Sequence, residues 1–214
     1  MLTIQTLTFN PFSENTYILS DESGECIIID PGCYSAEEKA ELSSLISSKS
    51  LRPVKLVLTH AHIDHILGNN YVCGKYNIPI VMCEIETQLL QSGPVYGQMW
   101  GIECEPSPEP SEFLKDGDIL KFGTTELEVL FTPGHSPGSL SYFHRESKRL
   151  IAGDVLFRES IGRTDLPGGS FEVLEKSIRE KLYSLDDEVI VYPGHGPETT
   201  IGWEKSNNPF VLAI

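Results

Sequence analysis

The sequence predicts an α+β fold in which two mixed β-sheets pack together and helices lie outside them. Strand-like segments are concentrated in two halves of the chain, and each half also contains helix-like segments. The 214 residues suffice to bury one good core, and the strand pattern resumes after a Gly- and Pro-rich stretch at residues 93–112. We therefore interpret that stretch as a loop and residues 1–214 as a single domain.

The first half begins with three β-rich segments, LTIQTLTF, NTYILSD and ECIIID, which are separated by turn residues. Asp30-Pro31-Gly32 ends the third strand. Ser35 is placed to cap a helix over AEEKAELSSLISSK, because Glu38 stands at the capping-box spacing. The remaining predicted elements of this half are the strand VKLVLT, a helix over ILGNNYVCGKYN, the strand IPIVM and a short helix near EIETQLLQ.

The second half contains five further predicted strands, DILKF, TELEVLF, SLSYF, RLIAG and EVIVY. The segment SFEVLEKSIREKLYSL predicts one helix with Ser170 as its N-cap. Apolar residues recur on one face of that helix, as expected when it covers a sheet. They are Leu174, Ile178, Leu182 and Leu185.

Charge and cysteine content narrow the class of protein. The formal net charge is −15, and no basic run is present, so we expect no nucleic-acid partner. The chain contains no stretch of about eighteen apolar residues, so we expect no membrane-spanning helix. The N-terminal segment does not resemble a secretory signal. Five cysteines without a CxxC pair are typical of reduced thiols. These features predict a cytoplasmic protein.

Potential metal ligands follow the ends of four predicted strands. They are His60, His62, Asp64, His65, His135, Asp154 and His195. An extended His60-x-His62 segment would point both imidazoles to one side, and the turn that follows can direct Asp64 and His65 elsewhere. One segment can therefore serve two neighbouring metals. A purely structural zinc site would favour cysteines and a closed shell, so this ligand set predicts a catalytic metal centre.

Four segments, THAHIDH, PGHSPGS, AGDVLF and PGHGPET, resemble the successive metal motifs of the metallo-β-lactamase superfamily. The resemblance implies an αββα sandwich with the site at one edge. It implies two divalent ions, with zinc expected and iron or manganese as alternatives. It also implies that His60, His62 and His135 hold the first metal, that Asp64, His65 and His195 hold the second, and that Asp154 bridges them.

Within the superfamily, SIGRTDLPGG and GPETTIGWEKSNNPF resemble glyoxalase II-like hydrolases. That resemblance implies hydrolysis of a small-molecule thioester by a hydroxide held between two metals. Longer family members carry a C-terminal helical domain that helps to bind glutathione, whereas this chain stops soon after His195, so we expect weak dependence on the glutathione moiety. A lactonase, a persulfide dioxygenase with one iron and a non-enzymatic metal-binding module remain as alternatives.

Other residues could support the metal ligands. Asp64 could orient the attacking hydroxide or carry a proton in addition to binding metal. Asp30 and Thr59 could accept hydrogen bonds from ligating histidines, although Asp30 is equally interpretable as a turn residue. Arg163 and Asp165 could form an ion pair that orders the loop after the bridging aspartate, or could contact substrate.

Substrate contacts outside the metal ligands are also predicted. Tyr96, Met99 and Trp100, in the loop at residues 93–112, could cover the site and bind an apolar part of the substrate, or could serve only in packing. Lys205 could bind a substrate carboxylate, or could simply be solvated. The sequence does not predict the acyl group, the thiol or the oligomeric state.

Overall fold

The computed structural model describes residues 1–212. The chain divides into two compact units, one formed by Met1–Phe113 with Lys121–Glu126, the other by Leu114–Leu120 and the chain from Leu127 onward. The described part of the chain contains two six-stranded sheets, each with both parallel and antiparallel strand pairs, together with α-helices. The predicted α+β class with two mixed sheets is therefore confirmed, and the single domain stays a prediction.

The first sheet has the same order in space as in the chain. Its first three strands are antiparallel neighbours, and its third to sixth strands are parallel neighbours. These strands are β1 (Thr3–Phe9), β2 (Glu14–Ser20), β3 (Glu25–Ile29), β4 (Arg52–Val57), β5 (Ile80–Met82) and β6 (Glu112–Phe113). Parallel β3, β4 and β5 are rich in buried Ile, Val and Leu, as strands covered on both faces require.

The helices of the first unit follow the predicted start signals in part. They are α1 (Ala36–Ser48), α2 (Ile63–Ile66), α3 (Asn69–Tyr76), α4 (Thr87–Gln91) and α5 (Gly93–Trp100). The predicted capping box is present at α1, where Ser35 accepts from the Glu38 N–H and the Glu38 carboxylate accepts from the Ser35 N–H. Leu42 and Ile46 bury the inner face of this helix.

Two predictions in this unit were wrong. The single helix over residues 66–77 is interrupted between α2 and α3, because the Gly68 N–H donates to the Pro31 carbonyl (2.7 Å) and so leaves the helical ladder. The loop over residues 93–112 begins with α5 instead. Pro94 in the first turn and Gly101 in the left-handed C-cap conformation (φ 68°) are ordinary helix boundaries, so these residues delimit a helix here.

The second sheet has the order β14-β13-β10-β9-β8-β7. Its β10 and β13 are parallel, and the β8–β9, β9–β10 and β13–β14 pairs are antiparallel. The remaining strands and helices are β7 (Ile119–Phe122), β8 (Thr125–Phe131), β9 (Leu140–His144), β10 (Arg149–Gly153), the hairpin of β11 (Leu156–Phe157) and β12 (Ser160–Ile161), α6 (Phe171–Ser177), β13 (Ile190–Pro193), β14 (Thr199–Thr200) and α7 (Ile201–Asn207).

The predicted helix over residues 170–185 is shorter and less regular than expected. Ser170 caps α6 as predicted, but Ile178–Leu182 form a π-helical segment, in which the Tyr183 N–H donates to the Ile178 carbonyl. Leu174, Ile178 and Leu182 are nevertheless buried in the core of the second unit, whereas Leu185 lies beyond the helix and is partly buried. The prediction of which residues face the core was therefore correct for these three, whereas the predicted end of the helix was wrong.

No helix within residues 1–212 has the length and apolar composition that crossing a lipid bilayer requires.

Candidate metal centre

The His60–His65 segment follows β4 directly and forms a compact group of imidazoles. His60 and His65 are buried, and their ring centroids are 4.2 Å apart. His62, the N-cap of α2, is half-buried and meets the His60 ring edge-on at 4.8 Å. The connection between β4 and α2 thus carries His60 and His62, and the first turn of α2 carries Asp64 and His65.

Asp30 and Thr59 form a hydrogen-bonded support behind this group. Asp30 accepts from the Thr59 N–H (2.7 Å) and from the Thr59 hydroxyl (2.5 Å), and its Oδ2 lies 3.1 Å from His65 Nδ1. Thr59 Oγ1 is also 3.0 Å from His60 Nδ1. Asp30 adopts a left-handed conformation (φ 48°) at the end of β3. The turn therefore aims the Asp30 carboxylate at His65, and its support of a metal ligand stays a prediction.

These contacts assign the tautomers of two histidines. A carboxylate only accepts, so His65 Nδ1 carries a proton toward Asp30. The Thr59 hydroxyl gives its one proton to Asp30, so His60 Nδ1 donates to the Thr59 oxygen. Both rings then present the lone pair of Nε2 on the opposite side, which is the form of histidine that binds a metal.

Two buried glutamates support the same segment, and sequence reasoning missed both. Glu86 is fully buried, and its Oε2 accepts from the Ala61 N–H (2.9 Å) between the first two histidines. Glu14 is also fully buried, and its Oε1 lies 3.9 Å from His65 Nδ1. Burial raises the pKa of Glu14 well above its ordinary value, although His65 opposes that rise.

The other candidate ligands belong to the second unit. His135 follows β8, Asp154 directly follows β10, and His195 follows β13. Asp154 Oδ2 lies 3.4 Å from His135 Nε2 and 3.5 Å from His195 Nε2. One carboxylate oxygen therefore faces two imidazole nitrogens, although the three residues come from separate parts of the sequence.

The loop after Asp154 fixes this group from behind. His135 Nδ1 is 2.8 Å from the Arg163 carbonyl, which can only accept, so this ring also carries its proton on Nδ1 and turns Nε2 toward Asp154. Gly162 lies so close to the Asp154 backbone that a Cβ at this position would be 1.9 Å from the Asp154 carbonyl oxygen and 3.1 Å from the His135 Cβ. This close approach explains why the motif SIGRTD has a glycine here.

The family model of the metallo-β-lactamase superfamily matches residues 9–195, which include every candidate ligand. The chain belongs to this superfamily. Two curated relatives are similar over almost their whole length. The "Probable metallo-hydrolase YqgX" of Bacillus subtilis (strain 168) is 41% identical over 94% of this chain and 93% of that protein. The "Hydroxyacylglutathione hydrolase GloC" of Haemophilus influenzae (strain ATCC 51907 / DSM 11121 / KW20 / Rd) is 36% identical over 98% of both.

Two solved structures are similar as well. The crystal structure of BLEG-1 B3 metallo-β-lactamase has a TM-score of 0.90 and 36% identity, and covers 98% of this chain and 99% of that one. The crystal structure of TTHA1623 in a di-iron-bound form has a TM-score of 0.87 and 35% identity, and covers 97% and 100%. The predicted metallo-β-lactamase fold is thereby confirmed, and the chain is a metal-dependent hydrolase of this superfamily.

The two cationic residues that were predicted to contact substrate, Arg163 and Lys205, each form an ion pair within the protein. Arg163 makes a two-pronged ion pair with Asp165 (2.7 and 2.8 Å), and this hydrogen bonding lowers the pKa of Asp165 to about 2. Lys205 Nζ donates to Asp187 (2.6 Å) and to the Leu185 carbonyl (3.2 Å). Arg163 thus pairs within its own loop and Lys205 joins α7 to residues 185–187, and contact of either cation with substrate stays a prediction.

The aromatic residues of α5 divide into packed and exposed side chains. Tyr96 packs against the core of the first unit. Met99 is 74% exposed and Trp100 is 53% exposed, and the Trp100 ring meets Phe12 edge-on with centroids 6.0 Å apart. The helix α5 contacts α2, which carries Asp64 and His65. A role in covering the site stays a prediction.

Proposed function

We propose that this chain is a glyoxalase II-like thioester hydrolase that works with two divalent metal ions. The position of Asp154 carries the proposal. Its Oδ2 faces His135 Nε2 at 3.4 Å and His195 Nε2 at 3.5 Å, as expected of a carboxylate that bridges two metals with one histidine on each. A buried aspartate (8% exposed) between two imidazoles has no evident packing function.

The proposed ligand sets are those that the resemblance to the superfamily implies. The first metal is bound by His60, His62 and His135, the second by Asp64, His65 and His195, and Asp154 is shared. Seven nitrogen and oxygen ligands are too many for one tetrahedral ion, and they contain no sulfur. Such donors fit zinc, iron and manganese. The di-iron form of TTHA1623 supports two metals in a similar protein.

The residues of this chain prepare the reaction in defined ways. When bound, the two ions would polarise the thioester carbonyl and acidify the attacking water. Asp30, the Thr59 hydroxyl and the Arg163 carbonyl hold the Nδ1 protons of His65, His60 and His135, and so fix the directions of the three rings. The Asp64 side chain is 15% exposed, which allows it to accept a proton from water beside the substrate.

Thioesters are the proposed substrates for two reasons. A thiolate leaves readily because the pKa of a thiol is about 8.5, so this chemistry needs no strong general acid for the leaving group. The relative GloC is described as a hydroxyacylglutathione hydrolase, which supports the same substrate class here. A β-lactam is the second candidate, favoured by the similarity to BLEG-1.

A hydrolysis panel tests the substrate class. It contains S-lactoylglutathione, a simple acyl thioester without glutathione, a lactone, a cephalosporin and a phosphodiester, all assayed with the metal-loaded protein. We expect thioesters to give the highest kcat/KM, and the simple thioester to compete well with S-lactoylglutathione. A clear preference for the cephalosporin, the lactone or the phosphodiester would contradict the thioesterase while leaving the metal centre intact.

We also propose a cytoplasmic location. All five cysteines are free and buried. Burial raises the pKa of Cys26 and Cys33 to about 12, so these thiols resist oxidation and behave as core residues. Fractionation of cells that express the full protein at its native level should recover it with cytoplasmic markers.

A further inference from the structure

Glu14 is a buried acid in a place where an apolar residue would serve the fold better. It is the first residue of β2, and its side chain is fully buried in the first unit. Burying a carboxyl group costs free energy unless its oxygens make specific interactions. We propose that Glu14 is a positioning residue for His65 and Asp64, the ligands of the second metal. This inference rests on the proposed two-metal centre.

The first contact of Glu14 is with the hydroxyl of Thr16. Thr16 Oγ1 is 2.9 Å from both Glu14 Oε2 and the Asp30 carbonyl, and it accepts from the Gly32 N–H at 2.9 Å. The carboxyl group is therefore joined through one hydroxyl to both sides of the turn that carries Asp30. Because Asp30 contacts His65 Nδ1, a shift of this turn would reach the ligand.

The second neighbour of Glu14 is Gly32, which also lies against the Asp64 carbonyl group. A Cβ on Gly32 would lie 2.1 Å from Glu14 Oε2 and 2.6 Å from the Asp64 carbonyl oxygen, so both oxygens crowd the same face of that glycine. Asn10 Nδ2 donates to the Gly32 carbonyl (3.0 Å) and to the Asp64 carbonyl (2.9 Å). Asn10 thus joins the turn to the start of α2, and Glu14 lies against the glycine of that turn.

The third contact is with His65 itself. Glu14 Oε1 has no hydrogen-bond partner among the described residues, and it lies 3.9 Å from His65 Nδ1, on the side that faces Asp30. His65 Nε2, the nitrogen on the opposite side, is 3.6 Å from Asp64 Oδ2. Glu14 Oε1 therefore lies behind the His65 ring, on the side away from the nitrogen proposed to bind the second metal.

Three variants test this role. E14M keeps the volume but removes the acceptor oxygens, and E14Q keeps the acceptor for Thr16. The control E204M replaces another fully buried glutamate, whose carboxylate accepts from the Glu159 N–H (2.9 Å) in the second unit. Metal-free protein is titrated with zinc against a chromophoric chelator, and the melting temperature of each metal-free variant is measured alongside.

We expect E14M to bind the second zinc about 10- to 100-fold more weakly and the first zinc normally, since supports of metal ligands have effects of this size. E14Q should restore the second affinity to within about threefold of wild type, which simple space filling would not predict. E204M should lower the melting temperature without changing either zinc affinity.

Other results would overturn the inference. If E14M binds both zinc ions as wild type does, or loses affinity for both equally, then Glu14 does not position the second-metal ligands. The same conclusion follows if E14Q binds the second zinc as weakly as E14M does. If the wild-type chain itself binds one zinc, then the proposed two-metal centre fails, and this inference fails with it. If wild type binds two zinc ions and E14M binds them with unchanged affinity, the role of Glu14 is contradicted but the two-metal centre is not.

Discussion

At the scale of single residues, Asp154 differs from an ordinary buried aspartate in what surrounds it. Its Oδ2 faces two histidine nitrogens within 3.5 Å, and its backbone lies against Gly162. The proposed centre needs both features, since a bridge must reach two metals and must be held rigidly. Each feature leads to a testable substitution.

The first substitution is D154A. Because the shared carboxylate is removed, we expect at least one metal to be lost and the hydrolysis rate to fall at least about 100-fold. Metal analysis and kcat on the best thioester measure this. The control is D165A, which breaks an exposed ion pair with Arg163 and should keep both metals. Two metals and near-normal turnover in D154A would show that Asp154 is misassigned.

The second substitution is G162A. The added methyl group would lie 1.9 Å from the Asp154 carbonyl oxygen, so the backbone must move. We expect a loss of about 1–3 kcal/mol of unfolding free energy from this overpacking, together with weaker metal binding. The matched control is G74A in α3, where a Cβ meets nothing within 4 Å and should stabilise the helix slightly. Equal melting temperatures for the two variants would contradict this description.

At the scale of elements, α1 tests how local signals stabilise the first unit. Ser35 and Glu38 cap each other, so S35A should cost about 1 kcal/mol of unfolding free energy, as N-cap losses typically do. Urea unfolding measures the difference. S44A, an exposed position within the same helix, should be neutral or slightly stabilising. A neutral S35A would mean that packing of Leu42 and Ile46 alone holds α1.

The turn between β2 and β3 should confer pH-dependent stability. Burial alone would raise the pKa of Asp21, but hydrogen bonds from Ser23, Thr124 and Thr125 hold it well below the ordinary value. The resulting stability is therefore present above about pH 4 and is lost as the pH falls below that value. The carboxylate and its donors lie within the first unit.

D21N tests this contribution in metal-free protein. At pH 7 we expect D21N to be about 2 kcal/mol less stable than wild type, the usual size for hydrogen bonds to a charged group. The gap should shrink as the pH falls below about 4, because the unfolded wild-type chain then binds a proton at Asp21 while the folded chain keeps that carboxylate charged. A gap that is constant with pH would show that Asp21 acts through shape and not through its charge.

The elements also show what sequence patterns predict well. Strands such as β8 and β10 and the capped helix α1 were predicted because alternation and capping are local signals. The helix α5 was missed because a high Pro and Gly content usually indicates a loop. Here the positions of Pro94 and Gly101 mark the two ends of a helix. Glu14 was missed for a different reason. An acid at the start of a strand resembles a solvent-exposed residue, and only tertiary packing buries it.

At the scale of the whole molecule, the candidate metal ligands were recognisable because the motifs occur in a fixed order along the chain. Glu86 and Gly162 were not, because they act through backbone contacts that leave no spacing signal. The net charge of −15 is a property of the entire chain and favours small substrates over nucleic acids. The substrate class itself depends on cavity shape, for which the sequence has no local pattern.

The most direct test of the two-metal thioesterase is a titration of metal back into chelator-treated protein. Bound metal per chain and the rate of thioester hydrolysis are measured on the same samples, with zinc, manganese and ferrous iron in separate series. We expect the rate to rise until two equivalents are bound and then to remain constant. Full activity at one equivalent, or activity only with one iron and with consumption of oxygen on a persulfide, would contradict the account.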